Sequence, residues 1–106
     1  MEITFEVSGG FIGGTRPTVR VDTADLETTE AEHLVWLVRA AMFFDQPAHA
    51  SALPPGAADY QTYRITVHDG RRRHRIERTD PLTDDALAQL VTALQALGRA
   101  SRRGGI

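Results

Sequence analysis

The stretch from Tyr60 to His68 alternates, with Tyr63, Ile65 and Val67 on one side, and runs straight into Asp69-Gly70 and then Arg71 to Arg78. Such alternation is the pattern of a half-buried strand. Asp-Gly is a strong hairpin signal, because a type I′ turn needs positive φ at both of its central positions. With Asp69-Gly70 as that central pair, His68 falls opposite Arg71, Ile65 opposite His74, and Tyr63 opposite Ile76, so Ile76 lands on the inward face. The chain is thereby committed to an antiparallel sheet with one apolar face, which needs a second layer to cover it.

The rest of the chain supplies both more sheet and the cover. Glu2 to Ser8 alternates with Ile3, Phe5 and Val7 on one side, and Thr18 to Asp22 repeats the pattern with Val19 and Val21 inward. Pro17, which lacks an N–H, suits the first position of that second strand. A long hairpin loop from about Gly9 to Arg16 joins the two. Leu34, Val35, Leu37, Val38, Ala41 and Met42 recur at helical spacing and predict a helix over Thr29 to Met42, with Thr29 and Glu32 as a capping box. A second helix, from about Asp84 to Leu97, carries the stripe Leu87, Leu90, Val91, Leu94 and Leu97, with Thr83 to cap it and Gly98 to end it in the left-handed conformation. The order ββαββα predicts an α+β fold, a four-stranded, mainly antiparallel sheet with two helices packed on one face. Residues 1–98 read as a single domain and 99–106 as a flexible C-terminal tail. Between the first helix and the third strand, Phe43 to Asp59 holds three of the five prolines and no regular period, a long irregular connection of the kind that often carries function. Phe43, Phe44 and Leu53 can fasten it to the core.

Composition removes several classes of function. The chain has 106 residues and no cysteine, which leaves room for one domain and none for a disulfide, a thiolate metal site or a cysteine nucleophile. No run of about 18 apolar residues spans a membrane, and a start on strand-like EITFEV in place of a signal peptide sets the expectation of a cytoplasmic protein. A net charge of −2 argues against a global attraction to nucleic acid or anionic lipid. All basic residues are arginine, a compositional mark of a GC-rich bacterial genome. His33, His49, His68 and His74 have no ligand spacing for zinc, and Ser8, Ser51 and Ser101 lack a nucleophile elbow. No catalytic set converges, so neither an enzyme nor a cofactor is expected. The run Arg71 to Arg75 is divided by strand alternation: Arg71, Arg73 and Arg75 share the exposed face with Glu77, Glu2 and Glu6, which reads as cross-strand pairing on a solvated face. Five carboxylates between Asp22 and Glu32 read as helix-dipole partners on another solvated face.

One stretch resists these structural readings. SGGFIGG, Ser8 to Gly14, concentrates four of nine glycines around Phe11 and Ile12. It has neither the lysine and hydroxyl of a phosphate loop nor a helix starting where it ends. An apolar pair on such a loop is either a plug folded back into the core or a probe for another protein's pocket.

SGGFIGG after an alternating strand, the helix ending in Met42-Phe43-Phe44 before a Leu-Pro loop, GAADYQTYRITV and the Asp-Gly hairpin together resemble the emfourin family. Its members are small bacterial protein inhibitors of protealysin-like, thermolysin-type zinc metalloproteases. The resemblance covers nearly the whole chain. It implies a noncatalytic protein that blocks a protease's active site through two neighbouring loops, one offering an aspartate to the enzyme's zinc and the other apolar side chains to the substrate subsites. The protease-binding residues it implies are Gly10, Phe11, Ile12 and Gly13 on the first loop and Ala58, Asp59 and Tyr60 on the second. Asp59 is the candidate ligand to the partner's zinc, with Asp45 of the same connection the other carboxylate available. The expected partner is a protealysin-like zinc metalloprotease, bound by a monomer that carries no metal of its own. The alternative is a non-inhibitory protein interaction module that uses the same loops.

Overall fold

A computed structural model describes residues 1–9, 18–49, 61–79 and 82–104, with side chains described for 1–8, 18–49, 61–79 and 82–98. The elements are β1 (Glu2–Gly9), β2 (Val19–Asp22), α1 (Thr28–Ala40), β3 (Gln61–Asp69), β4 (Arg72–Thr79) and α2 (Asp85–Gly104), with single 3-10 turns over Thr23–Asp25 and Phe43–Asp45. The sheet order is β2-β1-β3-β4 and every pairing is antiparallel. This is the expected ββαββα, α+β architecture. β1 is central because the first connection returns β2 to one of its edges and the α1 crossover returns β3 to the other.

The alternation sorts the sheet into two unlike faces. Ile3, Phe5, Tyr63, Ile65, Val67 and Ile76 are buried on one, in a single cluster with Leu34, Leu37 and Val38 of α1 and Leu87, Leu90, Val91 and Leu94 of α2. Each large aliphatic side chain so buried contributes about 1.5–3 kcal/mol of transfer free energy. Phe43 joins this cluster and Phe44 packs against it, as expected, while Leu53 lies outside the described residues. The opposite face is polar. Arg64 reaches Glu77 at 3.3 Å and Glu6 at 3.9 Å, and Arg75 reaches Glu6 at 3.6 Å. These are cross-strand pairs at the surface, worth about 0–1 kcal/mol each. Trp36 and Met42 are exposed, so Met42 falls outside the buried stripe to which its spacing assigned it.

Three local expectations need correction. In the β3–β4 hairpin, Asp69 pairs with Arg72, Ile65 with Ile76, and Tyr63 with Arg78, two residues away from the expected register. The central residues of the turn are Gly70 and Arg71, and Gly70 alone of the two takes a positive φ, 63°. A glycine at the first central position suits a II′-type turn, which lets Asp69 join the ladder and pair with Arg72 at 3.2 Å. Because the shift is even, every side chain keeps its face.

The second correction concerns α1, which begins at Thr28 with Glu27 as its cap residue and no side-chain capping bond, so the Thr29–Glu32 box does not form. The chain is fixed upstream instead. Thr23 N donates to Met1 O at 2.9 Å and Ala24 N to Asp22 Oδ1 at 3.0 Å, and this turn delivers the helix early enough to put Thr29 inside it.

Third, Asp84 rather than Thr83 caps α2, accepting from Leu87 N at 3.0 Å. The helix does not stop at Gly98: the segment read as a tail is helical as far as Gly104. Gly98 serves packing, since a Cβ there would lie 2.8 Å from Val19 Cγ2 of β2. No helix among the described residues is long and apolar enough to cross a membrane.

Candidate functional site

Two long connections, residues 10–17 and 43–60, meet the sheet at neighbouring points at one end of it, the first where it leaves β1 and the second where it enters β3. β1 ends at Gly9, β3 begins at Gln61, and these two residues are paired. Paired residues on adjacent antiparallel strands sit about 5 Å apart, so the roots of the two connections are side by side. The platform beneath them is tied to the core. Tyr63 OH donates to Gln61 Oε1 at 3.1 Å, the Tyr63 ring stacks on Phe5 with centroids 6.1 Å apart, and Thr62 and Thr79 bond through their hydroxyls at 3.2 Å. All seven expected protease-binding residues, Gly10, Phe11, Ile12, Gly13, Ala58, Asp59 and Tyr60, lie outside the described residues.

The described part of the second connection is a strap along the free edge of β4. Residues 46–49 run beside it, Glu77 N donates to Ala48 O at 2.8 Å, and His49 forms a parallel bridge with Glu77. Covering an edge strand in this way removes unpaired backbone groups that would template aggregation. Arg78 fastens the strap: Nη2 donates to Pro47 O at 2.6 Å and to Gln46 Oε1 at 3.2 Å, and Nη1 to Glu77 O at 2.8 Å and to Ala48 O at 3.4 Å. Partial burial lowers the Arg78 pKa from the ordinary arginine value, and the Asp84 carboxylate partly offsets this. Gln46 closes the network, donating to Ala41 O at 2.9 Å and Asp84 Oδ2 at 3.1 Å, while its own carbonyl lies 2.6 Å from His74 Nε2. A carbonyl only accepts, so His74 carries a proton on Nε2. Burial of this half-polar corner is thus accompanied by partners for its polar groups.

Sequence reasoning did not single out Arg78, Gln46 or Asp84. One signal was available for Arg78. It shares the parity of Ile76 and so falls on the inward face, where a charged side chain needs partners.

Asp45 stands elsewhere. It is exposed in the 3-10 turn after α1 and lines a shallow pocket of about 230 Å³ with Met1, Arg39, Met42, Phe44 and Arg72. Met1 and Arg72 mark the hairpin-turn end of the sheet, where Glu2 pairs with His68. At about 3.3 Å per residue, the span from Glu2 to Gly9 sets that end about 23 Å from the paired roots. Of the two carboxylates in the second connection, Asp45 is therefore remote from Gly9 and Gln61. Among the described residues, no three His, Asp or Glu side chains come together as a metal-binding group.

No curated protein and no solved structure matches the chain. A family model described as Emfourin matches residues 5–95, nearly the whole chain and including both connections, and the chain therefore belongs to the Emfourin family, a family of inhibitors whose partners are proteases.

Proposed function

We propose that this protein is an inhibitor of a bacterial protealysin-like, thermolysin-type zinc metalloprotease and blocks its active site with the two connections rooted at Gly9 and Gln61. The observation that carries the reading is the Gly9–Gln61 pairing, which gives two segments far apart in sequence a common base. A catalytic zinc keeps an open position for water, and a carboxylate oxygen of Asp59 would take that position. Phe11 and Ile12 would enter apolar substrate subsites and gain burial there, while Gly10 and Gly13 allow the backbone to approach the enzyme closely. Ala58 and Tyr60 would flank the carboxylate against the rim of the cleft. The inhibitor works as a monomer and performs no chemistry of its own.

The test is a peptidase assay of a protealysin-like enzyme with the purified protein in excess. Loss of activity is expected, and full activity would overturn the reading. Asp59→Ala and Phe11→Ala are each expected to weaken inhibition about tenfold or more, as central anchors do, with little change in thermal unfolding. Collapse of the fold on Phe11→Ala would instead identify Phe11 as a core plug.

A further inference from the structure

We infer that Arg78 is a positioning residue for the second connection: its guanidinium clamps residues 46–49, the last described part of that connection before β3, to the edge of β4. The inference rests on the inhibitory reading above. The downstream half of the strap is joined to the edge of β4 through the parallel bridge between His49 and Glu77. Among the described residues the bond from Glu77 N to Ala48 O is the backbone bond of this bridge, and Pro47 has no N–H to add another. Pro47, Ala48 and His49 are all exposed, so apolar burial does not pin them. Arg78 adds side-chain bonds to this backbone tie, with one planar fork reaching Gln46, Pro47 and Ala48 from near the end of β4.

The upstream half is held independently, by His74 on the Gln46 carbonyl and by Ala41 and Asp84 on the Gln46 amide. Loss of Arg78 therefore loosens the strap at residues 47–48 and leaves its origin at Gln46 fixed. The other root, Gly9–Gln61, does not involve Arg78. A strap that is held less firmly must be ordered on binding, and that ordering cost is subtracted from affinity.

The experiment compares wild type, Arg78→Gln, Arg78→Lys and a core control, Val91→Ala, which weakens packing away from the strap. Two quantities are measured at a temperature where all four are folded: amide exchange in the free protein and inhibition of a protealysin-like protease. Arg78→Gln is expected to speed exchange of the Glu77 amide about tenfold or more, leaving the paired amides of β1 and β3 as in wild type. The same variant is expected to inhibit about tenfold less well, Arg78→Lys to recover part of the loss, and Val91→Ala to inhibit like wild type. Unchanged Glu77 exchange in Arg78→Gln overturns the inference, as does loss of inhibition in Val91→Ala in proportion to its lost stability. An inhibitory wild type matched by Arg78→Gln overturns the inference alone. A wild type that leaves the protease fully active overturns the inhibitory reading and the inference with it.

Discussion

Gly98 shows how a single residue couples two elements. It lies inside α2, where alanine is ordinarily about 1 kcal/mol better than glycine. Here a Cβ would meet Val19 Cγ2 at 2.8 Å, and relief of such overpacking costs about 1–3 kcal/mol. Gly98→Ala is therefore expected to be neutral to destabilising by about 2 kcal/mol, by denaturant unfolding. In a Val19→Ala background, where the methyl is gone, the same change should stabilise by about 1 kcal/mol. Stabilisation by Gly98→Ala in the wild type would mean that β2 and α2 do not need the close approach. The sequence alone supports a helix stop at this glycine, because a glycine after a leucine stripe is the usual end signal. A close approach depends on a residue about eighty positions earlier, and no local pattern carries it.

At the scale of elements, period and parity were legible and terminal details were not. The four strands, two helices, their order and, Met42 apart, their inward residues follow from alternation and helical spacing, because burial selects one face and tolerates no odd slip of register. Caps and turns are decided by contacts between elements. The hairpin settled on Gly70-Arg71 because an ion pair and a glycine at the first central position stabilise that alignment. α2 is capped by Asp84, which also accepts from Gln46 across the corner that Arg78 faces. Asp84→Ala is expected to destabilise by about 1–2 kcal/mol, while Thr83→Ala changes stability by a few tenths, read as the shift in denaturant midpoint at constant slope. Equal losses from the two would return the cap to Thr83. Of the candidate site, sequence identified the two connections through their glycines, prolines and family resemblance. It did not identify the strap or its clamp, because Arg78 acts on residues about thirty positions earlier that are adjacent only once the edge of β4 exists.

At the scale of the whole molecule the sheet acts as a spacer between two ends with different contents. One end presents the paired roots at Gly9 and Gln61, with Arg78 and the strap alongside. The other presents the Gly70 turn and a shallow pocket lined by Met1, Arg72 and Asp45 among others. A protease cleft that admits one end has no reason to touch the other about 23 Å away, since the inhibitor would have to reverse its orientation to do so. This makes the two aspartates of the second connection a direct test of which end docks. Asp45→Ala is expected to inhibit within about twofold of wild type, while Asp59→Ala loses about tenfold or more, each measured as an inhibition constant on the same enzyme preparation. The reverse result would assign the zinc-directed carboxylate to the hairpin end. It would also set that carboxylate at the end of the sheet opposite Gly9, about 23 Å along β1 from the root of the first connection.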